Sequence, residues 1–106
     1  MAGKSPTQRS LEYLRKQGYL ACVVEKWIPR INIRKDAFDC IDILAVREGE
    51  VLGVQSTSRT NVAGRISKIK NLEHFPRLQA SPLRIVVHGW GKMASGRYEL
   101  REEHIA

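Results

Sequence analysis

Cysteine is scarce in this chain of 106 residues: Cys22 and Cys40 are the only two, and no Cys-x-x-Cys spacing joins them. That excludes a cysteine-built zinc site and a dithiol redox motif, and it leaves both thiols as small buried hydrophobes. Long apolar runs are missing too. None approaches the ~20 residues needed to cross a bilayer, and residues 1–8 lack the apolar stretch of a secretory signal. The expected location is cytoplasmic, with no membrane partner. Length excludes a second domain, because two cores in 106 residues would each bury too little surface. Residues 1–106 therefore read as one domain, and a hydrophobic fraction of 42% is enough to fold it.

Acidic residues are also few, 11 against 18 lysines and arginines, for a net charge of +7. A basic balance on a small domain favours polyanions, nucleic acid first. The three aspartates, Asp36, Asp39 and Asp42, fall within seven residues of one another. Residues 59–84 carry Arg59, Arg65, Lys68, Lys70, Arg77 and Arg84 against Glu73 alone. An acidic island in a basic chain suits a metal held beside bound phosphate.

Local patterns place the elements. Ser5-Pro6-Thr7-Gln8 is a capping box with proline at the first helical position. Leu11 and Leu14 continue an apolar stripe, and Gly18 ends the helix. Residues 19–28 (YLACVVEKWI) are expected as one strand stopped by Pro29, and residues 30–38 as a basic loop. Residues 40–46 (CIDILAV) and 51–57 (VLGVQST) flank Glu48-Gly49. A tight hairpin there pairs Arg47 with Glu50 and, by the same register, sets Asp42 opposite Gln55, with Thr57 on the face of Gln55. A slip of one residue would destroy that alignment.

Thr60 or Asn61 caps a second helix, with Val62, Ile66 and Ile69 on one side and Arg65 and Lys68 on an adjoining face. Pro76 and Pro82 bracket a connection. Residues 83–88 (LRIVVH) read as a central strand, Gly89-Trp90-Gly91 as a turn, residues 91–96 as a hairpin loop, and residues 97–101 as a last strand. The expected order is αβββαββ: an α/β fold with a central mixed sheet of four to five strands flanked by two helices.

Asp42 is the most informative position. Within Cys-Ile-Asp-Ile-Leu-Ala-Val an unpaired carboxylate is costly to desolvate. A basic side chain neutralises it, or it holds a cation, or the strand end opens into a cleft; a site role is preferred over a structural ion pair. Asp36 and Asp39 read as solvated loop acids. His88 reads as a hydrogen-bonded turn residue, while His74 and His104 lack metal-ligand spacing. Trp27 and Trp90 are read as packed, with stacking on unpaired bases as the alternative.

A helix, a strand, Ile41-Asp42-Ile43, a hairpin into Gly53-Val54-Gln55-Ser56-Thr57, and a further helix together resemble the core of the PD-(D/E)xK nuclease superfamily, over about residues 6–90. That superfamily includes restriction enzymes, Holliday-junction resolvases and small phage members. The resemblance implies a restriction-endonuclease-like core in which two acids bind magnesium or manganese with the scissile phosphate and water, and a lysine helps the nucleophile.

Asp42 stands where the family has its anchoring aspartate, Gln55 where it has an acid, and Thr57 where it has lysine. Asp42, Gln55 and the Ser56 carbonyl would form the metal site. The departures are equally specific: Gln55 removes a negative charge, Thr57 removes the cation, and the first-helix glutamate has no clear counterpart. Glu25 is the preferred replacement carboxylate and Lys68 a candidate replacement lysine. Arg30, Arg34, Lys35, Arg59, Arg65, Lys68 and Lys70 would grip DNA phosphates, and cutting both strands would require a homodimer. The leading expectation is a Mg-dependent DNA endonuclease or resolvase-like hydrolase with a degenerate site. The alternatives are a DNA-binding relative without catalysis and a protein-interaction module.

Overall fold

A computed structural model describes residues 3–31 and 33–106, with the side chains of Ile33 and Arg34 outside that description. Helix α1 (Pro6–Lys16) starts as the sequence requires. The Ser5 hydroxyl accepts the Gln8 N–H at 3.1 Å, while Gln8 Oε1 accepts the Ser5 N–H at 2.9 Å. Gly18, with φ +88, reverses the chain just past the helix end, where a side chain would be strained.

Among the described residues seven strands follow: β1 (Leu20–Val23), β2 (Lys26–Ile28), β3 (Ile33–Lys35), β4 (Ile43–Arg47), β5 (Glu50–Ser58), β6 (Arg84–Lys92) and β7 (Tyr98–His104). A 3-10 turn over Arg59–Asn61 leads into α2 (Val62–Lys70), and α3 (Phe75–Ala80) precedes β6. The main sheet has five strands in the order β1-β4-β5-β6-β7. Its β5–β6 pair is parallel and its other pairs are antiparallel, so the sheet is mixed. The parallel pair is possible because α2 and α3 supply the crossover.

The sheet is buried on both faces. Leu14 of α1 packs over Ala21, Ile43, Ala45, Leu52, Val54 and Val86. Val62 and Ile69 of α2, with Phe75 and Leu78 of α3, pack over Ile41, Ile85 and Val87. Consecutive apolar residues in β6 thus serve opposite cores, which is what an interior strand needs.

Four expectations are corrected. Residues 19–28 do not form one strand. After Val24 N–H donates to Asp42 O at 2.9 Å, the chain leaves the sheet, and β2 pairs with β3 in a separate two-stranded ribbon. Propensity marked both pieces as extended but carried no information about partners. The loop expected at 30–38 therefore contains β3. Phe75-Pro76 opens a helix, because proline in a first turn forfeits no intrahelical bond. Cys22 is exposed and only Cys40 is buried.

The fourth correction concerns Gly89-Trp90-Gly91. Strand β6 runs straight through it, pairing Ser58 with Trp90 on one side and Lys92 with Tyr98 on the other. The glycines serve close approach instead. A Cβ on Gly89 would collide with the Val62 side chain and lie 3.1 Å from Arg59 Cα, and one on Gly91 would meet the Arg59 guanidinium at 2.5 Å. The reversal comes later, where Met93 N–H donates to Arg97 O at 2.7 Å and Gly96 has φ +88. Substitution Gly89→Ala should therefore cost about 1–3 kcal/mol by overpacking. Urea denaturation of the two proteins measures the difference, and an unchanged midpoint would contradict this packing.

Candidate functional site

The Glu48-Gly49 loop fixes the hairpin register from Arg47↔Glu50 through Ile43↔Val54. Beyond that pair the strands diverge: Asp42 N–H donates to Val54 O at 3.0 Å, and the main-chain ladder ends. The Asp42 carboxylate takes over. Its Oδ2 accepts Ser56 N–H and Gln55 Nε2–H, each at 3.1 Å. The expected meeting of Asp42 and Gln55 thus occurs, through side chains rather than a backbone pair.

Asp42 is 3% exposed, and among the described residues its Oδ1 is a buried side-chain oxygen with no hydrogen-bond partner. Burial pushes its carboxyl up to about 7; the charges of Asp36 and Glu25 push the same way, against the bonds from Ser56 and Gln55.

Asp36 is the member that the sequence did not single out. Gln55 Nε2 also donates to Asp36 Oδ2 at 3.3 Å, so one amide bridges two carboxylates. The loop that delivers Asp36 is bent by Phe38 and Asp39, both left-handed at φ 52 and 62. Such a conformation costs non-glycine residues of order 1 kcal/mol each and persists where neighbours hold it. Here the holders are Ala37 N–H to Ile41 O at 2.8 Å, and His74 Nε2–H to Phe38 O at 2.7 Å. No spacing rule predicts that closure.

The other site candidates separate. Glu25, half-buried just beyond β1, acts on Asp42 through its charge. Thr57 is buried on β5 and brings no cation to the face of Gln55. Ser56 turns its hydroxyl to the opposite face. Lys68, with Arg65, Thr60, Asn61 and Gly64, lines an open groove of about 390 Å³ whose wall includes neither Asp42 nor Gln55. Among the described residues no three His, Cys, Asp or Glu side chains form a group ready to hold a metal.

Of the proposed phosphate contacts, Arg30 and Lys70 are exposed, and Lys35 lies 4.0 Å from Asp39. Arg59 is drawn to Glu99 at 3.3 Å. The Arg34 side chain lies outside the described residues.

A second polar cluster lies on the α1 face. Ser10 Oγ accepts Ser56 Oγ–H at 2.7 Å and Trp90 Nε1–H at 2.9 Å, and it lies 2.9 Å from His88 Nδ1. A hydroxyl has one proton, so Ser10 donates it to Nδ1 and His88 carries its own on Nε2, directed at Glu102 Oε2 at 3.2 Å. Burial holds the His88 pKa below its ordinary value, against the pull of Glu102. Ser10 and His88 are each 0% exposed, so this is a sealed structural network and not a nucleophile with its base. His88 is hydrogen-bonded as expected, but within a strand and not a turn.

Comparison with protein-family models, curated proteins and solved structures returns no match. No helix among the described residues is long and apolar enough to cross a membrane.

Two predictions follow from the geometry. The folded-state pKa of Asp42 is raised from 3.8 to about 7, so its stabilising protonated form is complete below pH 3.8 and is lost as pH rises through 7. Asp42→Asn should raise stability at pH 8 by about 2–4 kcal/mol and by almost nothing at pH 4. Urea titrations at both pH values, read as the difference from wild type, cancel the His88 contribution. Ser10→Ala strands three partners, two of them buried, and should cost about 2–4 kcal/mol at pH 7, also read by urea unfolding.

Proposed function

We propose that this protein is a divalent-metal-dependent endodeoxyribonuclease with a restriction-endonuclease-like core and an altered site. The observation that carries the reading is the buried, partnerless Oδ1 of Asp42. Among the described residues Asp42 shares one amide with a second carboxylate, Asp36, and a cation between the two would stabilise both.

The element order supports the same reading: a helix, an antiparallel β1-β4-β5 arrangement, a helical crossover, and β6 parallel to β5. Asp42 enters at the start of one hairpin strand and Gln55 lies on the other, as the family pattern requires. Asp42 and Asp36 would hold magnesium or manganese, and Gln55 would turn its amide to present Oε1 in place of Nε2. Bound there, the metal would acidify a water and neutralise charge on the scissile phosphate. Asp36 thus stands in for the charge that Gln55 lacks. Arg65 and Lys68 on α2, and Arg30 and Lys35 on the β2–β3 ribbon, would take backbone phosphates.

One observation favours a second reading. Thr57 brings no ammonium group to the carboxylates, and the Gln55 amide already satisfies one oxygen of each acid. A nuclease-fold DNA-binding protein without catalysis would look the same in these two respects.

Supercoiled plasmid, a four-way junction and single-stranded DNA incubated with Mn²⁺ separate the readings. Slow cleavage is expected from the wild type, falling by at least about a hundredfold in Asp42→Asn and Asp36→Asn. Manganese should also raise the wild-type Tm and leave that of Asp42→Asn unchanged. Intact DNA in every lane with no metal-induced shift would overturn the enzyme reading. Asp42→Asn is expected to be the more stable protein at pH 8, so its inactivity would not reflect unfolding.

A further inference from the structure

A groove of about 480 Å³ runs between α1 and the β6–β7 hairpin, on ground that the reading above does not use. Its wall combines three cations, Arg9, Lys16 and Arg97, with three rings, Tyr13, Trp90 and Tyr98. Glu12 also lines it, but both Glu12 oxygens are held by Lys4, at 2.8 and 2.9 Å. The uncompensated charge of the groove is therefore positive.

The rings are positioned, not merely present. The Trp90 indole is anchored from behind by its N–H bond to the buried Ser10 hydroxyl at 2.9 Å. Tyr13 meets its edge, with ring centres 6.3 Å apart and planes at 76°. With its only donor already engaged, Trp90 offers the groove π surface and no hydrogen-bond readout. Tyr98 is 42% exposed, and the Arg9 guanidinium lies 3.4 Å from its ring centre, which makes a flat cationic platform at the groove's rim. Flat π surfaces flanked by arginine and lysine match a nucleotide: the base stacks and the phosphate pairs with a cation. A groove of this volume takes one base and its phosphate, whereas a duplex keeps its bases stacked out of reach.

We propose that this groove binds an unpaired DNA strand, stacking a base on the Tyr98–Arg9 platform against Trp90 and pairing its phosphates with Lys16 and Arg97. The proposal extends the nuclease reading by naming a feature of the substrate, a single-stranded end or branch. It uses none of the residues around Asp42.

The test follows Trp90 fluorescence in a Trp27→Phe background, which leaves one of the chain's 2 tryptophans. Protein in EDTA is titrated with a twelve-nucleotide oligo-dT, a duplex of equal length, and dTMP. The strand should quench Trp90 and bind at least tenfold more tightly than the duplex. Its affinity should fall with salt at a logarithmic slope of about −1.4, as expected for two phosphate contacts. Tyr98→Ala and Arg97→Gln should each weaken binding by about tenfold, Tyr98→Phe should retain it, and Arg77→Gln on α3 should leave it unchanged.

Equal affinity for strand and duplex, or indifference to Tyr98→Ala, would overturn the proposal. So would saturation by dTMP at the concentration that suffices for the strand, which would assign the groove to a free nucleotide. Repeating the titration with Asp42→Asn keeps the two readings apart. Strand binding that survives in that variant supports the groove even where plasmid stays uncut, and its loss there would overturn the claim that the groove is independent of the acidic site.

Discussion

The contact between the Asp42 carboxylate and the segment Gln55-Ser56 organises this molecule. It occurs where the β4–β5 ladder runs out, so a side chain does what the backbone has stopped doing. A serine or threonine there could hold the Ser56 amide with no charge to bury. An aspartate brings a charge that the fold tolerates at a cost, since burial and two neighbouring acids all favour the protonated form. Stability and the proposed chemistry pull in opposite directions at this position. The pinned loop that places Asp36 adds to the expense, for its left-handed residues contribute nothing to the core.

The opposite face of the sheet follows the reverse logic. Around Ser10, every buried donor and acceptor has a partner, and the proton inventory closes on one tautomer of His88. Such a network rigidifies α1 against β5 and β6 and fixes the position of the Trp90 ring. Ser56 belongs to both faces: its amide serves Asp42 and its hydroxyl serves Ser10. The satisfied cluster thus braces the strand from which the unsatisfied one hangs.

What the sequence conveyed was local. The capping box of α1, the register set by Glu48-Gly49 and the apolar stripe of α2 all depend on neighbours a few residues apart, and each appears as read. The meeting of Asp42 with Gln55 was legible because a two-residue loop makes register arithmetic. What failed was partnership at a distance. The break after Val23 depends on β3, and the straight passage of Gly89 and Gly91 depends on Arg59 and Val62 lying over them. Asp36 was read as a solvated loop acid because its approach to Gln55 rests on a bond from His74, 36 positions from Phe38. Lys68 lines a groove whose wall includes neither Asp42 nor Gln55, a placement that charge and helix position alone do not convey.

The single parallel pairing has a consequence for how the molecule assembles. Strands β4 and β5 need only a tight reversal to meet, whereas β5 and β6 must wait for everything between Ser58 and Arg84 to be laid down. Closing a connection of that length costs entropy before any contact is gained, and this slows the step. Whichever step covers the Asp42 carboxylate carries its dehydration, and an alkaline medium raises the cost of that covering.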